Sequence, residues 1–184
     1  MDEHVLFKYL PELESQIGVE HVRPLLDRLT LGTLADGEVL VRDQAPIDSL
    51  YLVLKGTLRL TVEFGSHAVQ LGEIGPGNWV GELGYFSGVP LASSTVTACG
   101  DCEVAQLTYR DFDALLDEDS VAVCRLTHGF IQMLMRRLAV TANNPVIDHH
   151  GEMLLPGELS VPWPELAQGK HGVVDFLKSL MGVH

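Results

Sequence analysis

Between Gly32 and Thr108 apolar residues recur at every second position, and glycine-bearing pairs interrupt them at short intervals. Val39 and Val41, then Leu50, Leu52 and Leu54, then Leu58, Leu60 and Val62 alternate with polar or smaller residues, the period of a strand with one buried face. Asp36-Gly37, Lys55-Gly56, Gly65-Ser66, Gly75-Pro76-Gly77 and Gly100-Asp101 fall between the runs and are expected to be turns. Short strands that each bury one face must fold onto one another, so this stretch predicts a compact β-barrel or roll.

The flanks have a different period. From Glu3 to about Leu29, Val5, Leu6, Leu10, Leu13, Ile17, Val22, Leu25, Leu26 and Leu29 are spaced for two short helices broken near Gly18. After Thr108 the pattern predicts a helix over Tyr109 to Leu116 and a longer one from about Ser120 to Asn143. In the latter Val123, Leu126, Phe130, Met133, Leu134 and Leu138 lie at steps of three and four. Pro145 ends that helix and disfavours it at Asn144. The fold class expected is mainly β with flanking helices. At 184 residues one domain, 1–144, is followed by a tail, 145–184, carrying Pro145, Pro156, Pro162 and Pro164 and an amphipathic stretch firm only from about His171 to Met181.

Charge limits the partners. The net charge of −13 opposes nucleic-acid binding, whose non-specific affinity comes from Lys and Arg displacing counterions on phosphates. No apolar run reaches the ~20 residues of a membrane helix, and the acidic start, MDEHVLFKYLPELE, is unlike a basic secretory signal. Cys99, Cys102 and Cys124 are too few for a disulfide scaffold. A cytoplasmic protein with no nucleic-acid and no membrane partner is expected.

Several motifs narrow the fold. Leu34-Ala35-Asp36-Gly37-Glu38-Val39-Leu40 leads to Asp48-Ser49-Leu50-Tyr51-Leu52-Val53-Leu54-Lys55-Gly56. Leu71-Gly72-Glu73-Ile74-Gly75-Pro76-Gly77-Asn78-Trp79-Val80-Gly81-Glu82-Leu83 follows the Gly65 hairpin. This ordered series, over about Leu29 to Ala142, resembles the cyclic-nucleotide-binding domain family, in particular its bacterial catabolite-activator branch. The resemblance implies a double-stranded β-helix of jelly-roll type with a long C-terminal dimerisation helix. It also implies a site for cyclic AMP or cyclic GMP. Gly81, Glu82 and Leu83 match the opening of the family's phosphate-binding cassette, where backbone N–H groups face the phosphate and the glutamate accepts from the ribose 2′-hydroxyl.

At the cassette's end the resemblance breaks. The family places an arginine there, paired with the phosphate; this chain reads Pro90-Leu91-Ala92-Ser93-Ser94-Thr95-Val96. Counting back from Cys102-Glu103-Val104-Ala105 puts Ala92 at the arginine, and counting forward from Glu82 puts Leu91 there. Between Arg59 and Arg110 there is no Lys or Arg at all, leaving His67 within the gap and Arg59, Arg136 or Arg137 outside it as sources of charge. Ser93 matches the family's phosphate-contacting hydroxyl, and Thr141, in Arg136-Arg137-Leu138-Ala139-Val140-Thr141, the threonine that reaches the purine. Glu82 and its glycines also fit a purely structural turn.

The expected function is therefore a non-enzymatic sensor or regulatory module with weak or no cyclic-nucleotide binding, a homodimer through helix 120–143 in which Phe130, Met133 and Leu138 seek a partner. The alternatives are an interaction module whose pocket is filled by Tyr85, Phe86 or Phe176, and a sensor of an uncharged ligand. In the activator branch a winged helix-turn-helix follows the long helix; the tail here, with Lys170 and Lys178 as its cations, points instead to a protein partner or to docking on the chain itself through Phe176, Leu177 and Leu180. Cys99-Gly100-Asp101-Cys102 has metal-ligand spacing without a second pair and reads as a hairpin turn. His149, His150, His171 and His184 lack an evident scaffold for a metal, and a β-barrel metalloenzyme would need inward ligands.

Overall fold

A computed structural model describes residues 17–64, 67–143, 146–147 and 153–154. Helix α1 (Val19–Leu26) precedes strands β1 (Thr30–Leu34), β2 (Val39–Val41), β3 (Ser49–Phe64), β4 (His67–Ile74) and β5 (Trp79–Val80). After these come a short helix α2 (Glu82–Phe86), strand β6 (Thr95–Thr108), helices α3 (Tyr109–Glu118) and α4 (Ser120–Asn143), and the two-residue strands β7 (Val146–Ile147) and β8 (Met153–Leu154).

Two long antiparallel strands, β3 and β6, form the spine, paired from Ser49↔Thr108 to Thr61↔Thr95. At one end β1 adds to β6 and β5 to β3; at the other, β2 adds to β6 and β4 to β3. Each end is thus a four-stranded layer, and the spine strands pass from one layer to the other. The six strands form one hydrogen-bonded network that does not close on itself, so the mainly β architecture with flanking helices is as expected, but as an open roll and not a closed barrel.

The bend between the layers corrects two expected turns. Lys55-Gly56 and Gly100-Asp101 lie inside β3 and β6, where the register slips between Val53 and Lys55 and again between Lys55 and Thr57. They are bulges, which kink a strand without ending it. Gly56 has φ +83°, and a Cβ there would lie 2.6 Å from Cys102 Sγ and 2.7 Å from the Asp101 carbonyl oxygen. Cys99-Gly100-Asp101-Cys102 is therefore part of one continuous strand and not a hairpin. Glycine at positive φ marks turns and bulges alike, which is why the spacing did not separate them. The other punctuation does form turns: residues 36–37 and 76–77, and the β3–β4 hairpin that closes with Phe64 opposite His67.

Two cores follow. Leu34, Val53, Leu58, Ile74, Val80, Val96, Ala98 and Val104 fill the roll. Leu25, Leu50, Leu52, Leu107, Phe112, Leu115, Val123, Leu126, Phe130 and Met133 join the helices to the sheet. This corrects the stripe expected to seek a partner: Phe130 and Met133 are 1% and 4% exposed, covered by their own chain, and the Leu138 side chain lies outside the described residues. Helix α1 begins after Gly18, where a break was expected; the first helix of that pair and the tail helix near His171 fall outside the described residues.

Candidate functional site

The turn after β5 sets the site. Gly81 has φ +96°, and any Cβ there would collide with the Ser49 carbonyl oxygen, so the chain passes close over β3 before entering α2. The Tyr109 hydroxyl, from the first residue of α3, donates to the Gly81 carbonyl oxygen at 2.7 Å. Burial chiefly, and next the neighbouring Glu82 charge, push the pKa of that hydroxyl up from its ordinary value. Glu82 is thereby fixed at the first position of α2 with its carboxylate directed inward, 2% exposed.

The residue that meets it comes from a distant part of the chain. Arg137 Nη1 on α4 donates to Glu82 Oε1 at 2.6 Å, and Arg137 Nη2 donates to the Trp79 carbonyl oxygen at 2.6 Å and to Met133 Sδ at 3.3 Å. Met133 Sδ also accepts from the Trp79 N–H at 3.4 Å. The peptide of Trp79 is thus held on both sides by residues one helical turn apart on α4. Burial pushes the Glu82 carboxyl up from its ordinary range, and the Arg137 charge and hydrogen bond partly oppose that rise. Of the cations the sequence offered, Arg59 instead pairs with exposed Glu73 on β4 at 3.5 Å, Arg136 is exposed, and the His67 side chain lies outside the described residues.

These residues line a cavity of about 100 Å³ with walls from Val41, Ile47, Leu60, Leu71, Val80, Val96 and Leu134, and with Gly81, Glu82, Leu83, Gly84, Ala92, Ser93, Ser94 and Arg137 at its polar end. The two residues reached by the two counts across the cassette lie differently in the structure. Gln44 N–H donates to the Ala92 carbonyl at 2.9 Å, and Ala92 N–H to that of Ala45 at 2.9 Å. Leu91 bridges to Pro46. This ladder turns Ala92, 6% exposed, toward the cavity, while Leu91 is not among the residues that line it. Ser93 lines it too. Thr141 lies on the backbone of α4, with its side chain outside the described residues.

Tyr85 and Phe86 do not enter the cavity. Their rings stack edge-on with each other, Tyr85 against Tyr109 and Phe112, and Phe86 against Phe130. Phe176 lies outside the described residues. Arg137 was one of the cations the sequence offered for a phosphate, but its pairing with Glu82 was not read from the sequence, which carries no signal for it. The apolar walls at Leu60, Val80 and Val96 were legible in principle from the strand period, since they sit on the inward side of β3, β5 and β6. Among the described residues no group of three His, Cys, Asp or Glu is placed to hold a metal, and no helix is long and apolar enough to cross a membrane.

Residues 32–119 match the family model described as cyclic nucleotide-binding domain. The cAMP-activated global transcriptional regulator CRP of Salmonella typhimurium is 30% identical over 105 residues, covering 56% of this chain and 48% of that protein. The cAMP-dependent protein kinase regulatory subunit of Dictyostelium discoideum is 32% identical over 116 residues, 61% of this chain and 35% of that one. The chain therefore spans about half the length of the first of these relatives, and less of the second. Among solved structures, a cyclic nucleotide-binding domain from Methylobacillus flagellatus superposes with a TM-score of 0.66 at 18% identity, covering 75% of this chain and 81% of its own, a likeness of fold.

Proposed function

Residues 32–119 belong to the cyclic nucleotide-binding domain family, and from that premise we propose that this chain is a non-enzymatic regulatory module whose cassette holds cyclic AMP or cyclic GMP weakly or not at all. One observation carries the reading: Ala92 faces the cavity where the family resemblance calls for an arginine, and the cation that does reach the cavity, Arg137, is already bonded to Glu82. Gly81, Glu82, Leu83, Ala92, Ser93 and Thr141 remain the proposed ligand contacts, with Leu91 behind them. A phosphate without its charge-assisted partner forgoes roughly 1.5–3 kcal/mol, at least a tenfold to hundredfold loss in affinity. Calorimetric titration with cyclic AMP and cyclic GMP tests this; sub-micromolar affinity for either refutes it.

The proposed output is a homodimer through α4. The face opposite the core carries Val121, Cys124, His128, Ile131 and Met135, all exposed, with Val121, Ile131 and Met135 exposed by 47%, 40% and 60%. Steps of three and four along this face are those of a heptad seam, and a seam of this kind is complementary to a second copy of itself. Sedimentation equilibrium showing a monomer at high concentration removes the dimer from this reading. A protein partner reached through the tail, 145–184, is the companion proposal, on the sequence grounds given above.

A further inference from the structure

We propose that the cavity selects an uncharged, hydroxyl-bearing ligand with an apolar face in preference to any anion, an inference that rests on the regulatory reading above and names its ligand class. The ground is charge balance. Among the described residues that line the cavity, Glu82 and Arg137 are the only ones with charged side chains, and they are bonded to each other at 2.6 Å. Their charges cancel inside a wall built otherwise from Val41, Leu60, Leu71, Val80 and Val96. A neutral guest leaves that balance intact. An anion makes the enclosed charge negative by one, in surroundings where an uncompensated charge is costly.

Arg137 cannot relieve this by turning toward the guest. Glu82 is 2% exposed, so any interaction Arg137 gives to an anion is withdrawn from a carboxylate that has no water to replace it. The same carboxylate suits a hydroxyl donor. It offers about four lone-pair sites, more than the Arg137 bond uses, and a hydrogen bond to a charged acceptor is among the stronger neutral-donor contacts. Ser93, half-buried on the same wall, supplies a hydroxyl of its own.

The test is calorimetry on the full chain with a matched pair that differs by the phosphate, adenosine and cyclic AMP, together with 2′-deoxyadenosine. Adenosine is expected to bind at least tenfold more tightly than cyclic AMP, and 2′-deoxyadenosine at least fivefold more weakly than adenosine. The Ala92→Arg variant, checked for fold by circular dichroism, is expected to gain at least tenfold for cyclic AMP and little for adenosine. The wild-type pair decides the matter even if that variant does not fold. Cyclic AMP binding as tightly as adenosine, with both weak, overturns the charge-balance inference alone, as does binding of neither. Sub-micromolar cyclic AMP binding overturns the proposed function, and overturns the charge-balance inference with it where adenosine does not bind at least tenfold more tightly still.

Discussion

Replacing Arg137 with Ala leaves a carboxylate that is 2% exposed without its charge partner. Breaking a buried ion pair from one side costs about 3–5 kcal/mol. Arg137 itself is 27% exposed, so water already screens part of the attraction, and the expected loss at pH 8 is about 2–3 kcal/mol. For a domain of this size that is roughly 5–10 °C in Tm. The pH dependence gives the loss a signature. Burial, the larger influence, places the folded Glu82 carboxyl above its ordinary range, and Arg137 opposes it. A carboxyl with a raised folded pKa binds more protons folded than unfolded between the two values. Its stability contribution therefore falls as pH rises through that window and is constant above it. Removing Arg137 removes the opposing pull and extends the window upward, so the deficit is expected to be larger at pH 8 than at pH 5, where protonation relieves the buried charge. Urea unfolding followed by far-UV circular dichroism at both pH values measures it. Glu82→Gln, which removes the charge and keeps an acceptor for Arg137, is expected to cost less than about 1 kcal/mol, and Arg137→Ala in that background less than in the wild type. A loss below about 0.5 kcal/mol at pH 8, or an equal loss at both pH values, refutes the reasoning.

Three further outcomes are expected. Ile131→Asp, at the centre of the exposed α4 face, should shift the chain to monomer in sedimentation equilibrium while leaving its thermal stability within about 1 kcal/mol. Gly81→Ala, which combines φ +96° with a collision against the Ser49 carbonyl, should destabilise by roughly 1–3 kcal/mol or prevent folding, read by urea unfolding. Tyr109→Phe removes the donor to the Gly81 carbonyl and should cost about 1–3 kcal/mol in the same assay, with α2 the first segment to gain amide exchange.

The strand period and glycine punctuation carried the architecture because both record local backbone needs. Gly81 and Glu82 were singled out by the family resemblance of the motif that contains them, and the structure places both on the wall of the cavity. What stayed hidden depends on tertiary approach. Gly56 satisfies a bend where β3 and β6 approach closely, and Gly100 opposite it is required by its φ of +75°; nothing within either segment distinguishes such a bulge from a turn. Arg137 and Glu82 are 55 residues apart, and the choice among Arg59, Arg136 and Arg137 depends on how α4 rotates over the roll. On α4 the helical period was read correctly but attached to the wrong consequence. Phe130 and Met133 mark the inner face, while Ile131 and Met135, one and two residues on, mark the outer one. Both faces carry apolar residues at steps of three and four, so periodicity alone does not say which of them the chain covers.

The same rotation explains why the site and the outer face are placed to influence each other. At about 100° per residue, Arg137 lies some 200° around α4 from Met135, so one turn of helix presents a guanidinium to the cavity and an apolar side chain to the outside. Phe130, one residue before outward Ile131, packs edge-on against Trp79 at a centroid distance of 5.4 Å, and Arg137 and Met133 grip the peptide of the same Trp79. Trp79 is two residues from Gly81 and three from Glu82. A ligand that changes how Glu82 is bonded is therefore expected to alter amide exchange in the part of α4 that carries Ile131 and Met135; unchanged exchange there on ligand addition refutes the link. The Glu82–Arg137 contact is the one ion pair between cassette and helix among the described residues, and the Trp79 contacts with Arg137, Met133 and Phe130 add to it.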